Sequence, residues 1–214
     1  MRRNICHKII TVVFVITVSM NSAFAINEQR EIWTDIGGYT SWKDWSFSLT
    51  MGNYFWDRTG WYLINGELQV VSPSWHSFYF GLGYKQEYSQ WMERWYVEYR
   101  PMLNLFYKKS IGKVAFRNRF RTEFRFIEGS SSLRYRNELK CTMKREGKFK
   151  PYLSTELFLN NEPFKYTRNR SYIGTKWCIN RLTLDSYVCW QVTKMNQELW
   201  HHLFVIGTGL YLKI

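Results

Sequence analysis

Apolar and polar residues alternate along most of this chain. Residues 116 to 126 show the pattern best, with Phe116, Phe120, Phe124 and Phe126 on one parity and Arg117, Arg119, Arg121, Glu123 and Arg125 on the other. Successive side chains of a strand point to opposite faces, so this spacing makes a two-faced strand that no helix could separate so cleanly. The pattern recurs in segments of about ten residues or more, divided by turn-like clusters. In 44–54, Trp45, Phe47, Leu49 and Met51 oppose Ser46, Ser48, Thr50 and Gly52. In 61–71, Tyr62, Ile64, Leu68 and Val70 oppose Asn65, Glu67 and Gln69, and in 75–88, Phe78, Phe80, Leu82 and Tyr84 oppose Ser77, Gly81, Gly83 and Lys85. Further strands are predicted at 31–41, 92–107, 133–144, 149–160, 167–179, 182–193 and 199–214. Turns are expected at Asp57-Arg58-Thr59-Gly60, Ser72-Pro73-Ser74, Lys108 to Lys113 and Arg145-Glu146-Gly147-Lys148, and the longest loop from Asn160 to about Tyr166.

Strand length and residue choice decide which solvent each face meets. Strands of soluble sheets run to about five or six residues, whereas about nine to eleven residues cross a hydrocarbon layer at a tilt. Tryptophan gathers near the expected strand ends, at Trp42 and Trp45, Trp56 and Trp61, Trp91 and Trp95, and Trp200, as in the aromatic girdles of membrane barrels. The polar parity is rich in Arg with acids interspersed, a combination suited to enclosed ion-pair networks. These features predict an all-β fold, an antiparallel up-and-down transmembrane β-barrel with its charged face inward. Eleven segments alternate, but bacterial single-chain barrels have even strand numbers. Ten or twelve strands are therefore expected: either one strand is missing from the count or 31–41 lies outside the barrel.

The N-terminus adds a destination. Arg2, Arg3 and Lys8 precede the apolar stretch from Ile9 to Val18 and the small-x-small site Ala23-Phe24-Ala25, the three parts of a secretory signal peptide. Residues 1–25 are assigned to that leader and 26–214 to one barrel domain, with the cell outer membrane as the expected location. Removing the three leader cations from the formal charge of +13 leaves about +10. A 19% aromatic content favours membrane interfaces. The mature cysteines Cys141, Cys178 and Cys189 are odd in number and irregularly spaced, so neither a disulfide framework nor a zinc site is expected.

The expected interior site is an ion-pair or anion-binding lining. It comprises Glu98, Arg100, Arg117, Arg119, Arg121, Glu123, Arg125, Arg134, Arg136, Glu138, Glu156, Arg168 and Arg170. Cations exceed acids in this set, and unpaired guanidinium groups in an enclosed space need water or an anion. The expected role is accordingly structural, or that of a narrow anion-preferring pore, with outer-membrane lipid, lipopolysaccharide and small anions as partners and no nucleic acid. No cofactor, metal or catalytic residue is expected. His76 beside Ser77 suggests a hydrolase dyad, but on a strand the two would face opposite ways. His201 and His202 likewise oppose each other, and Gly207 and Gly209 relieve crowding next to inward Tyr211. Two alternatives stand beside the pore: an outer-membrane lipid-modifying enzyme and a soluble periplasmic lipid-binding barrel.

The Glu98-Tyr99-Arg100-Pro101 segment, the Arg117-x-Arg119-x-Arg121-x-Glu123-x-Arg125 strand, its Arg134-x-Arg136 partner and Glu156-Leu157-Phe158 resemble a bacterial outer-membrane barrel family, domain of unknown function 2490. The resemblance implies a barrel over essentially the whole mature chain and carries over no catalytic residue.

Overall fold

The computed structural model describes residues 29–56, 60–91, 94–144, 147–160, 165–194 and 200–214. The leader expected at 1–25, the turn residues 57–59 and most of the loop after Asn160 lie outside the described residues. Eleven strands account for nearly everything else: β1 (Gln29–Trp42), β2 (Trp45–Trp56), β3 (Gly60–Val71), β4 (Phe78–Trp91), β5 (Arg94–Ile111) and β6 (Val114–Ile127), then β7 (Ser130–Met143), β8 (Phe149–Asn160), β9 (Lys165–Ile179), β10 (Leu182–Lys194) and β11 (Trp200–Lys213). None is shorter than the 12 residues of β2. No described helix is long and apolar enough to cross a membrane, which says nothing of crossing by strands.

Each strand pairs with its neighbours in chain order, and β1 meets β11 to close the barrel. The count corrects the expectation of ten or twelve strands. Segment 31–41 is a full strand, and the closure shows how an odd number is accommodated. Consecutive strands run antiparallel, so the first and eleventh run the same way, and their pairing is parallel from Gln29↔Leu203 to Tyr39↔Lys213. Parallel ladders slant their hydrogen bonds and are slightly weaker per residue, but this one removes both edges. β1 therefore begins at one rim, the N-terminal rim, and β11 ends at the other, the C-terminal rim.

Tight turns hold the register. Lys43 and Asp44, and again His76 and Ser77, have positive φ at both central positions. That conformation twists in the same sense as the flanking strands and makes a two-residue hairpin turn. The second pair corrects the strand expected at 75–88. β4 begins at Phe78, with Trp75 bridged to Phe78 around the turn. His76 and Ser77 thus cap a hairpin and do not lie back to back on a strand. Register shifts fall between Phe158 and Leu159 in the β8–β9 ladder and between Tyr54 and Phe55, where β3 carries an extra residue opposite β2. That bulge turns Tyr62 inward, against the outward position its parity predicts. The β5–β6 ladder also skips Arg100 and Pro101, passing from Tyr99↔Phe126 to Met102↔Glu123. Proline has no N–H to give a ladder, so the break falls where it must.

The two faces separate as the alternation predicts. Every strand presents an apolar residue outward near mid-height: Ile36, Leu49, Leu68, Leu82, Leu103, Phe120, Leu139, Leu153, Ile173, Val188 and Phe204 are all exposed. Exposed Trp42, Trp45, Trp75 and Trp177 border this belt toward the C-terminal rim, and Trp95, Trp190 and Trp200 toward the other. The buried residues, by contrast, are largely polar, including Arg100, Arg121, Glu123, Glu138, Glu156 and Asp185. This is the inverse of a soluble core.

Candidate functional site

All thirteen residues singled out in the sequence project inward. Twelve line a cavity of about 690 Å³ inside the barrel, and Glu123 lies sealed beneath them with no solvent exposure. Strand register places them. Across β6 and β7, Arg119 is opposite Glu138 and Glu123 opposite Arg134, while Glu156 on β8 is opposite Arg170 on β9. Directly opposed charges of unlike sign attract at the spacing of a sheet. Deep in the barrel four opposed pairs are of like sign: Arg121↔Arg136, Glu138↔Glu156, Glu87↔Glu98 and Lys85↔Arg100. In each, diagonal partners of the other sign compensate.

Two connected networks result. In the first, the Arg100 guanidinium donates to both members of the acid pair, at 2.6 Å to Glu87 and 2.6 Å to Glu98. Arg125 also grips Glu98, 2.9 Å through its Nη2, and Lys85 lies 3.2 Å from Glu87. These residues gather beside the ladder break at Pro101. In the second, Glu123 accepts from Arg134 and from Arg136, the latter at 2.5 Å. Arg136 continues 2.7 Å to Glu156, and Arg119 spans Glu156 at 3.0 Å and Glu138 at 2.8 Å. Arg117 ends the chain 2.7 Å from Glu138. Arg121 links the two sides of the interior, 2.8 Å from Glu67 and 2.8 Å from the side-chain amide oxygen of Asn104. Charge-assisted contacts of this kind are the strong ones, and every carboxylate in the two networks holds at least one guanidinium or ammonium.

Two predicted residues behave differently. The guanidinium of Arg168 sits 5.7 Å from the Phe158 ring, and that of Arg170 lies 5.0 Å from Phe158 and 4.6 Å from Trp33. Arg170 also donates to Gln191 at 2.7 Å. Among the described residues neither forms an ion pair with a carboxylate. Phe158 is 2% exposed and serves as a hub, with Arg134 and Arg136 also over its ring. Cations on an aromatic face are held by its quadrupole without being neutralised.

Sequence reasoning missed part of the interior as a site. The acids Glu31, Asp35, Glu67, Glu87 and Asp185 and the cations Lys85, Lys140 and Lys176 also line the cavity. With them, twelve Arg and Lys face eight acids, and sealed Glu123 makes nine, so the net excess is three positive charges. The other half of the wall is aromatic. Trp33 stacks on Tyr54 at 4.6 Å, Tyr172 meets Tyr187 edge-on at 5.6 Å, and the Tyr62 hydroxyl donates to Glu31. The rings lie over glycines: a Cβ on Gly207 would come within 2.1 Å of Tyr187, and one on Gly209 within 2.6 Å of Tyr211. The expected relief of crowding at Gly207 and Gly209 is therefore direct contact with tyrosine rings. His201 and His202 oppose each other across their strand as expected, and His202 stacks on exposed Trp190. Among the described residues no group of three or more His, Cys, Asp or Glu could hold a metal ion, and Cys141, Cys178 and Cys189 are unpaired.

Fold and site together define a closed β-barrel with an apolar exterior and an ion-paired interior. The chain belongs to a protein family of unknown function, DUF2490, whose model matches residues 30–201. No curated protein and no solved structure matches it.

Proposed function

We propose that this chain is an integral barrel of the bacterial outer membrane, exported by the leader at residues 1–25, with no enzymatic activity and with an interior that forms a narrow, anion-preferring path. The outward belt carries this reading: each of the eleven strands exposes an apolar side chain at mid-height, from Val188 at 42% to Ile173 at 70%. Soluble monomers rarely expose contiguous apolar patches beyond a few hundred Å², and a belt that encircles the whole barrel suits lipid. The bordering tryptophans fit the interfacial girdles on either side.

The interior argues for the anion preference. Its excess of three positive charges includes Arg168 and Arg170, which rest on aromatic rings and form no ion pair with a carboxylate among the described residues. A soluble lipid-binding barrel would need an apolar cavity, and this one is lined by charge. A lipid-modifying enzyme would need converging nucleophile, base and acid, and His76 and Ser77 sit in a turn away from the cavity lining. Cell fractionation tests the location: heat-modifiable migration in the outer-membrane fraction is expected, and recovery in the soluble periplasmic fraction contradicts it. In planar bilayers small anion-selective currents are expected, and cation selectivity contradicts the sign assigned to the interior.

A further inference from the structure

At the C-terminal rim the charge pattern changes character. Register places Lys108 of β5 opposite Arg117 of β6, and Arg117 opposite Lys140 of β7, three inward cations in one row. Lys150 of β8 stands opposite Lys176 of β9 at the same end. Like charges directly opposed destabilise a sheet, and deeper in the barrel such pairs are compensated by diagonal partners. Here compensation is incomplete. Arg117 reaches Glu138 and Lys176 lies 3.6 Å from Asp185, but the Lys108 ammonium rests 4.1 Å from the Tyr79 ring and that of Lys140 3.3 Å from the Tyr152 ring. Among the described residues neither lysine forms an ion pair with a carboxylate. The Arg117 Nε is buried and makes no hydrogen bond. These groups border a cavity of about 400 Å³ lined also by Ser110 and Thr142, and among the described residues none of its lining is acidic.

The surrounding rim repeats the bias. Lys43, Lys109, Lys113, Lys144, Lys148 and Arg181 are exposed in or beside its turns, and Asp44 is the one described acid exposed there. Such a surface concentrates anions at the mouth, and the low-dielectric walls of the barrel strengthen the field inside it. Buried donors are ordinarily satisfied, so an unpaired guanidinium nitrogen beside two acid-free ammonium groups calls for an acceptor with several oxygens.

We propose that this vestibule is a binding site for a soluble, multivalent oxyanion of the phosphate class, held by Lys108, Arg117 and Lys140. It rests on the reading of the interior as anion-preferring, and it goes further by naming the ligand class and the place. The three groups share the inward parity of their strands, whereas Lys109 and Phe116 at the edge of the same cavity have the outward one, so the ligand is assigned to solution and a lipid headgroup is the alternative the test excludes.

The test follows from linkage, because a ligand that binds only the folded state raises its thermal midpoint. The full-length mature protein, folded in a neutral detergent, is heated with sodium tripolyphosphate or with sodium chloride at equal ionic strength, and the loss of the heat-modifiable form is followed. Tripolyphosphate raises the midpoint saturably and chloride does not. Lys108→Gln/Lys140→Gln keeps or raises the midpoint without ligand, since it removes like-charge repulsion, and weakens apparent tripolyphosphate affinity by about tenfold or more. If the double variant does not fold, Lys108→Gln at the exposed edge serves alone, with a smaller loss. The site is overturned by equal shifts in both salts, by an equal shift in the variant, or by a shift produced by phosphatidylglycerol vesicles but not by tripolyphosphate. Binding is read without current: a protein that binds but does not conduct contradicts only the pore, and one that conducts anions but does not bind contradicts only the vestibule.

Discussion

The interior of this barrel is filled in two ways, and the two halves of its wall fail differently. From β3 to β8 the wall is a lattice of Arg and Glu, in which most charges are tolerated because a partner lies within about 3 Å. From β9 through β11 and β1 to β2, aromatic rings lie over glycine backbone and the constraint is volume. The charged half depends on complement, since a residue removed there strands another. The aromatic half depends on fit, and a single added methyl group displaces a ring. Both halves share the same apolar exterior, so neither solution is dictated by what lies outside.

The largest effect is expected at Glu123, which is fully buried and answers both Arg134 and Arg136. Glu123→Gln keeps the volume and removes the charge, so it isolates complement from fit. A loss of about 3–5 kcal/mol in urea-unfolding stability is expected, the range for stranding a buried charge. Next comes the shared exterior. Leu153→Arg places a charge on a 58% exposed mid-belt position and is expected to lower stability in a bilayer by about 2–4 kcal/mol. The same substitution in a soluble barrel would be close to neutral.

In the aromatic half Gly207→Ala is expected to cost about 1–3 kcal/mol by overpacking against Tyr187. Trimming the ring in Gly207→Ala/Tyr187→Leu recovers part of it, and a double-mutant cycle reads the coupling. If the two changes simply add, volume is not the constraint there. The smallest stability effect belongs to Arg168, which has no acid partner among the described residues. Arg168→Gln is expected to change stability by less than about 0.5 kcal/mol and to reduce the anion preference of single-channel currents. A large stability loss would move Arg168 into the structural lattice.

The same contrast governs what could be read from the sequence. The Arg/Glu half was legible because guanidinium groups on alternate positions of a long strand, with Phe on the positions between, can share a face only with water or with carboxylates. All thirteen residues named from that pattern face inward. The aromatic half was not legible as a wall. Tyrosine suits an interface, a core or a girdle, so Tyr54, Tyr172 and Tyr187 carry no directional signal, and Tyr62 pointed outward by parity until a bulge reversed it. Isolated acids such as Asp35 and Asp185, set among residues of mixed character, offered no ladder to join. The hairpin at His76 and Ser77 lacks the Asn-Gly chemistry by which such turns announce themselves. Strand number was legible as eleven alternating segments, and only the even-number expectation displaced it. Alternation defines each strand locally, whereas the parity of their total is fixed only where β1 meets β11.

The central claim is that the apolar parity of these strands faces hydrocarbon and the charged parity faces inward. Tryptophan emission from the protein folded into phosphatidylcholine bilayers tests it directly, because Trp45, Trp95, Trp177, Trp190 and Trp200 sit on the outer surface and Trp33 does not. Lipids brominated along their acyl chains should quench most of that emission while aqueous acrylamide quenches little of it. Strong acrylamide quenching with no effect of the brominated lipids would contradict the account.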